Sequence, residues 1–260
     1  MTGRTANGLL GPEDPAPVGL FNAEGTSPFL LIGDHAGSAL PSVLGDLGLE
    51  PGEMERHIAV DIGVFGLGHA LAEKLDAPFV HQTYSRLVID CNRDPGRSDA
   101  IPEVSDGTLI RGNERLADDA RAARIDAIHR AYHARIAAII DAREEAGRET
   151  VLVSLHSFTP AMDGMSRPWH VGILHGAGRT DFAHALLQEL RCEDNLSVGD
   201  NVPYAMDDTD YTVPLHAFAR GLRYAEIEVR QDLLADDDVC QLWAARFKRT
   251  FLDALALVAA

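Results

Sequence analysis

The feature that most constrains this chain is a short apolar run that ends in a histidine. The run VLVSLHSF begins at Val151, contains His156 and is closed by Pro160. It is too short and too rich in β-branched residues for a helix, so it predicts a buried central strand. In an open α/β sheet, ligands bind in the crevice at the carboxyl ends of the strands. His156 is therefore predicted to lie at a functional site.

A second run has the same organisation. Residues 29–32 are apolar and are followed by Gly33, Asp34 and His35. Strand-like and helix-like patterns alternate along the chain, which predicts a three-layer α/β fold with a mostly parallel (mixed) central sheet and helices on both faces. The predicted helices span residues 53–75, 117–146, 181–191 and 238–257, and the other strands span 78–83, 86–90, 171–175, 196–199 and 222–229.

The length and the continuity of this pattern predict one domain. The chain has 260 residues, and no repeat or linker interrupts it. We therefore expect a single domain over residues 1–260. Residues 1–18 are rich in glycine and proline without periodicity, and we expect them to form a loose leader.

Charge and cysteine content narrow the class of protein. The net charge is −17, and a surface that binds phosphate needs clustered basic residues, so a nucleic-acid partner is not expected. The three cysteines are widely spaced, which fits a reducing compartment. The sequence lacks a signal-peptide pattern and a long apolar run, so we expect a soluble cytoplasmic protein with no membrane partner.

Three side chains are candidates for a metal site. His35 and His156 follow strand-like runs, and imidazole and carboxylate suit a divalent metal such as zinc. Asp61 lies beside the apolar positions Ile58 and Ile62 of the predicted helix 53–75, where an acid is costly unless it is paired or bound to metal. No short motif joins the three residues. Satisfied polar groups at strand ends remain the alternative.

A metal-dependent hydrolase also needs a carboxylate that transfers protons. Glu226 and Glu228 lie two residues apart on one predicted strand and therefore face the same side. Glu228 is the preferred base because it lies nearer the carboxyl end of the strand. A salt bridge with Arg223 or Arg230 is the alternative for either one.

The remaining candidates would bind the substrate. Arg86, Asn92 and Arg93 lie in or just after the predicted strand 86–90, and guanidinium groups bind carboxylates in bidentate geometry. His216 precedes the Glu228 strand and is a candidate donor to an oxyanion. The histidines treated as structural or surface residues are His57, His129, His133, His170, His175 and His184.

Together these segments resemble the N-formylglutamate amidohydrolase family. The matching pieces begin at Gly33 (GDHAG), His57 (HIAVDIG), Ser85 (SRLVIDCNR), Ser154 (SLHSF) and Ala225 (AEIEVRQD). They occur in the family's order and span roughly residues 28–235. The resemblance implies a phosphorylase/hydrolase-like α/β fold, shared with zinc carboxypeptidases and zinc amidases.

The resemblance also implies an activity, the hydrolysis of an N-acyl amino acid such as N-formylglutamate, which is formed in histidine breakdown. By analogy, His35, Asp61 and His156 hold Zn²⁺ or another divalent metal, and Glu228 is the base. Carboxypeptidase-type sites have an acid three residues after the first histidine. This chain has Ser38 there, so Asp61 takes that role.

The mechanism expected from these residues is attack of metal-activated water on an amide carbonyl. His216 would stabilise the oxyanion by donating a hydrogen bond, and Arg86 and Arg93 would hold the carboxylates of a small anionic substrate. Two alternatives remain: a zinc amidase or peptidase acting on cell-wall or short peptides, and a non-catalytic binding protein on the same fold. We expect a monomer or a small homo-oligomer.

Overall fold

The structure is a computed structural model that describes residues 8–259. Its strands are, in chain order, β1 (Val18–Phe21), β2 (Phe29–Gly33), β3 (Phe79–Gln82), β4 (Val104–Ser105), β5 (Thr108–Leu109), β6 (Val151–Phe158), β7 (Ala161–Met162), β8 (Met165–Ser166), β9 (Val171–Leu174), β10 (Val198–Asp200) and β11 (Arg223–Arg230). Its α-helices are α1 (Val64–Leu75), α2 (Asp118–Arg124), α3 (Arg130–Glu145), α4 (Asp181–Arg191) and α5 (Asp237–Ala259).

Seven strands form one mixed sheet in the order β1-β3-β2-β6-β11-β9-β10. The pairs β3–β2, β2–β6, β6–β11 and β9–β10 are parallel, whereas β1–β3 and β11–β9 are antiparallel. The strands β4–β5 and β7–β8 form two separate hairpins. The predicted mixed α/β fold is confirmed.

Strand β6 occupies the centre of the sheet and is buried along its whole length. Its side chains alternate between two cores, as strand geometry requires. Val153 and Leu155 pack in the core formed with α1, α4 and α5. Leu152 packs in the opposite core, which contains apolar residues of the α2–α3 region such as Tyr132 and Ile136. The sheet is therefore covered on both faces.

The predicted helix 53–75 is only half correct, because an α-helix begins at Val64. Ile58 packs in the core on one face of the sheet, whereas Leu67 packs in the core on the other. Apolar residues that belong to different cores cannot lie on one face of one helix. Asp61 consequently lies in a loop, and the side chain of Phe65, in the first turn of α1, is 47% exposed.

The predicted strand 86–90 is wrong. Leu87, Val88 and Ile89 are buried, but the chain forms turns there and pairs with no strand. The Val88 amide donates to the Ser85 carbonyl, and the Leu87 amide donates to Ser85 Oγ. An apolar run in a buried loop gives the same sequence pattern as a buried strand.

The expected loose leader is also corrected for the residues that the structure describes. Leu9 is buried, the Tyr84 hydroxyl donates to the Pro15 carbonyl at 2.7 Å, and β1 pairs with the edge of the sheet from Val18. Residues 1–7, the first part of the predicted leader, lie outside the described residues.

The predicted helix 117–146 forms, with a π-helical segment over Ile125–His129 between α2 and α3. Such segments frequently accompany functional sites because the extra residue re-aims the side chains. Here the segment ends at His129, whose Nε2 lies 3.0 Å from the Arg93 carbonyl. The long helix is thereby tied to the loop that follows Cys91.

The reversed direction of β9 affects the site. Strands β6 and β11 run parallel, and β9 runs antiparallel to β11 with Val171 opposite Val229. The connection from β6 to β9 therefore starts and ends at the carboxyl edge of the sheet.

Over residues 8–259, no helix is long and apolar enough to cross a membrane.

Candidate active site

A cavity of about 670 Å³ opens at the carboxyl ends of β2, β6 and β11. This is the edge at which an α/β sheet is expected to bind ligands. The loops over residues 99–106 and 203–210 contribute the outer wall. The cavity is lined by most of the candidates, namely His35, Asp61, Arg86, Asn92, Arg93, His156, Glu226 and Glu228.

Three of these residues form a compact set of possible metal ligands. His35, Asp61 and His156 are buried, and each offers one atom within 4.8 Å of the others. His156 Nδ1 lies 3.0 Å from Asp61 Oδ2, and His35 Nδ1 lies 3.4 Å from the same oxygen. Ligand atoms about 2 Å from a tetrahedral zinc ion lie about 3.3 Å apart. Both separations are close to that value.

The outer nitrogens of the two imidazoles are engaged elsewhere. His35 Nε2 lies 2.7 Å from Asp90 Oδ1, so the Nε2–H donates to this carboxylate. His156 Nε2 lies 3.0 Å from Ser154 Oγ and 3.5 Å from Asp34 Oδ2. With a proton on each Nε2, both Nδ1 lone pairs point toward Asp61, which is also an acceptor. A cation between these atoms satisfies all three, and such outer hydrogen bonds are typical of metal-bound histidines.

The backbone places Asp61 between the two histidines. The Asp61 amide donates to the His35 carbonyl at 3.0 Å, and Ser157 Oγ donates to the Ile62 carbonyl at 2.9 Å. Gly63 then turns the chain with φ of 81° to start α1. A Cβ at Gly63 would lie 2.3 Å from the Leu234 side chain, so only glycine fits there.

The electrostatics of this group favour a positive charge at the imidazoles. Burial lowers the pKa of His156, but Asp34 and Asp61 outweigh it and raise that pKa well above its ordinary value. Burial would raise the pKa of Asp61, but His35, His156 and Arg86 together hold it below its usual range. The same field would favour a divalent cation at this position.

Glu228 lies beside His156 because the two residues are paired in the β6–β11 register. Burial raises the pKa of Glu228 to about 7 and raises the pKa of Glu226 well above its ordinary value. Each glutamate has an Oε2 atom without a hydrogen-bond partner among the described residues. Near neutral pH, Glu228 can therefore accept and release a proton, whereas burial favours the neutral form of Glu226.

The alternative partners proposed for these glutamates are occupied by other acids. Arg223 pairs with Asp181 and Glu149, and Arg230 pairs with Asp232. Neither guanidinium forms a salt bridge with Glu226 or Glu228.

The predicted substrate-binding residues reach the cavity but already have partners. Arg86 donates to Asp90 Oδ2 at 2.6 and 3.0 Å and to Asp61 Oδ1 at 3.3 Å. Arg93 donates from one nitrogen to the carbonyls of Asn92 and Thr209. Both arginines therefore also stabilise the walls of the cavity.

The amide of Asn92 holds a neighbouring loop. Asn92 Oδ1 accepts from the backbone amides of Tyr211 and Thr212 at 2.9 and 3.0 Å, and Asn92 Nδ2 donates to Asp210. Asn92 therefore fixes the loop that carries the outer wall.

His216 does not line the cavity. Its Nε2 lies 3.0 Å from His133 Nδ1, and His133 Nε2 lies 2.9 Å from the Cys91 carbonyl. A donor for a developing oxyanion must reach the reacting carbonyl, and the buried His216 faces another histidine instead. The predicted role of His216 as an oxyanion donor is therefore wrong for this geometry.

Several residues of the site were not among the sequence candidates. Asp90 joins His35 to Arg86, and Asp34 supports His156. His57, treated as structural, lines the cavity and lies 3.5 Å from Asp106. Asp34 directly precedes His35, and Asp90 directly follows the apolar run 87–89. These positions were the signal from which both acids could have been predicted as site residues.

A family model described as N-formylglutamate amidohydrolase matches residues 27–235. The chain belongs to this family. The resemblance seen in the sequence is thereby confirmed, and the protein is a hydrolase that acts on amide bonds.

Two solved structures are similar to this member of the N-formylglutamate amidohydrolase family. The gene product Atu2144 from Agrobacterium tumefaciens is 35% identical, with a TM-score of 0.94 over 97% of this chain and 100% of that one. An N-formylglutamate amidohydrolase from Ralstonia eutropha JMP134 is 20% identical, with a TM-score of 0.63 over 94% of this chain and 97% of that one. The second likeness shows the fold. No curated protein matches the chain.

Proposed function

We propose that the protein is a metal-dependent, most simply zinc-dependent, amidohydrolase that cleaves the amide bond of an N-acyl amino acid such as N-formylglutamate. One observation carries this proposal: the Nδ1 atoms of His35 and His156 converge on Asp61 Oδ2 beside Glu228, in a cavity that opens to solvent.

His35, Asp61 and His156 would hold the metal, with Asp90, Ser154 and Asp34 fixing the orientation of the imidazoles. A divalent ion held there supplies Lewis-acid chemistry, since it polarises the carbonyl and activates water.

Glu228 moves the proton. Its pKa of about 7 allows its carboxylate to take a proton from the attacking water and its carboxyl group to give one to the leaving amine nitrogen. Burial favours the neutral form of Glu226 beside it, which limits the negative charge near the nucleophile. The products are then the acid of the acyl group and a free amino acid.

The substrate we propose is small and anionic. Arg86 and Arg93 lie at the cavity wall, and each keeps N–H groups beyond those that bind the protein, because a guanidinium carries five. These remaining donors would attract the α-carboxylate of an amino acid.

The cysteines support a proposed cytoplasmic location. Cys91, Cys192 and Cys240 are all unpaired, and unpaired thiols are typical of reducing compartments.

Elemental analysis of the purified, unchelated protein tests the metal. We expect about one zinc ion per chain, lost in His156→Ala and retained in His184→Ala, which alters an exposed histidine of α4. Absence of metal from the wild type after zinc is supplied would contradict the mechanism.

A substrate panel tests the reaction. N-formyl and N-acetyl amino acids are compared with muramyl peptides by the release of the acid or the amine. We expect hydrolysis of N-formylglutamate, loss after chelation and recovery with zinc. Preference for muramyl peptides would favour the cell-wall amidase alternative.

A further inference from the structure

Arg167 lies at the edge of the cavity, in the connection that returns from β6 to β9. It is half-buried, and its Nη1 donates to Thr159 Oγ1 at 3.1 Å and to the Tyr204 hydroxyl at 3.0 Å. Its Nη2 lies 3.1 Å from Met162 Sδ. Thr159, Met162 and Tyr204 all line the cavity.

The charge of Arg167 is not balanced by an acid. Arg86 pairs with Asp61 and Asp90, and Arg93 has Asp99 at 3.7 Å. Within residues 8–259, no carboxylate lies within 4.0 Å of Arg167, and its acceptors are all neutral. An uncompensated guanidinium in a chain of net charge −17 indicates a site for an external anion.

The geometry around Arg167 adds two further donors. The hydroxyl oxygens of Thr159 and Tyr204 accept from Arg167, so their own protons point elsewhere, and neither proton has an acceptor in the described part of the chain. Burial, with the nearby charge of Glu228, raises the pKa of Tyr204, so its hydroxyl keeps its proton. A carboxylate accepts hydrogen bonds but donates none, which suits a group of three adjacent donors.

The Arg167 guanidinium is also held in place. The Cζ atom of Arg167 lies 4.8 Å from the centre of the Tyr204 ring, which is a cation–π contact. The Arg167 amide donates to the Pro160 carbonyl at 2.8 Å, which closes the β7–β8 hairpin. A donor group that is fixed before binding loses little conformational entropy when a ligand binds.

We propose that Arg167, Thr159 and Tyr204 form a subsite for the side-chain carboxylate of an N-acyl dicarboxylic amino acid. Thr159 lies three residues beyond His156, which is about 10 Å along an extended chain. The α-carboxylate is attached next to the amide nitrogen and lies close to the reacting carbonyl, whereas the side-chain carboxylate lies at the far end of the molecule. This inference rests on the proposed function and assigns the residues that select the substrate.

The test compares two substrates of the same shape, N-formyl-L-glutamate and N-formyl-L-glutamine, with the zinc-loaded enzyme. In Arg167→Gln, we expect kcat/KM for N-formylglutamate to fall about 10- to 100-fold through KM, because a hydrogen-bonded charge is lost. The value for N-formylglutamine should change less than about threefold. Arg246→Gln, which removes an arginine stacked on Trp243 outside the cavity, should change neither value.

An equal loss for both substrates, or no loss for either, would overturn the subsite. Arg167→Lys should recover part of the preference for N-formylglutamate, since it restores the charge without the planar fork.

If the wild type hydrolyses neither substrate, the proposed function fails, and calorimetric binding of glutarate and its monoamide decides the subsite separately. Glutarate binding that weakens about 10- to 100-fold in Arg167→Gln, with the monoamide unaffected, would support the subsite. Failure of the wild type to bind glutarate would overturn it.

Discussion

Asp90 Oδ1 lies 2.7 Å from His35 Nε2, and this contact leaves Nδ1 as the ring nitrogen that could bind a metal. The other oxygen of Asp90 accepts from Arg86. Burial would raise the pKa of Asp90, but Arg86 and His35 hold it well below its ordinary range, so the carboxylate stays charged. The orientation of His35 is therefore set by a permanently ionised partner.

Asp90→Asn should weaken zinc binding by about 10- to 100-fold, because the neutral amide polarises His35 less strongly. Competition with a chromophoric chelator measures the affinity. Asp99→Asn is the matched control, since Asp99 also lines the cavity but pairs with Arg97. Equal affinity of Asp90→Asn and the wild type would contradict this role.

Glu228→Gln should retain its metal and lose activity. A positioned general acid–base group contributes about 10²- to 10⁴-fold, and we expect kcat for N-formylglutamate to fall by that factor. Glu226→Gln should lower kcat less than about tenfold, because burial favours the neutral form of Glu226 and Gln resembles that form in shape and charge. Release of formate, with zinc content measured on the same samples, checks both variants. Comparable turnover in Glu228→Gln and the wild type would exclude Glu228 as the base.

Gly63→Ala should destabilise the fold by about 1–3 kcal/mol, because alanine disfavours a φ of 81° and its Cβ would contact Leu234. Gly147→Ala is the control. Gly147 also has a positive φ, but no atom lies within 4 Å of the added Cβ. Denaturant unfolding should therefore show a larger loss for Gly63→Ala. Equal losses would mean that the contact with Leu234 adds nothing.

The buried pair of His133 and His216 should make the protein less stable in mild acid. Burial lowers the pKa of His133 to about 3 and that of His216 to about 4, from an ordinary value of 6.5. The nearby Asp34 acts in the opposite direction but does not outweigh burial. Below about pH 6.5 the unfolded chain binds more protons than the folded one, so the free energy of unfolding falls as pH falls toward about 4.

The measurement is the free energy of unfolding at about pH 7.5 and about pH 5. The double variant His133→Gln, His216→Gln removes both groups and should lose less stability over this range than the wild type. Other titrating groups are common to both proteins and cancel in the comparison. Parallel pH profiles would refute the contribution of this pair.

The strands that carry the site could be predicted from the sequence because their apolar runs are continuous and end in polar residues. His35, His156 and Glu228 lie where β2, β6 and β11 predict them. Asp61 was identified as a candidate metal ligand, but the reasoning about its local structure was wrong. It was expected on a helix, yet it lies in a loop that Gly63 terminates.

The loops could not be predicted, because their conformation depends on contacts between residues far apart in the chain. The run 87–89 is as apolar as a strand, yet its hydrogen bonds are those of a turn. Ser85 accepts from the amides of Leu87 and Val88, and the Ala100 carbonyl accepts from the amide of Asp90. His216 was placed near the site by its position before β11, but its contact with His133 joins residues 83 positions apart. Local patterns contain no signal for such a contact.

The reversal of β9 makes the segment from Thr159 to His170 an exchangeable module. The Arg230 amide donates to the His170 carbonyl at 2.9 Å, and the segment leaves and re-enters the sheet at the same edge. Changes in its length and sequence should leave β6 and β11 in place, and with them His156 and Glu228. Under the subsite proposed for Arg167, this segment is the part of the fold in which substrate preference can be redesigned separately from the residues that carry the reaction.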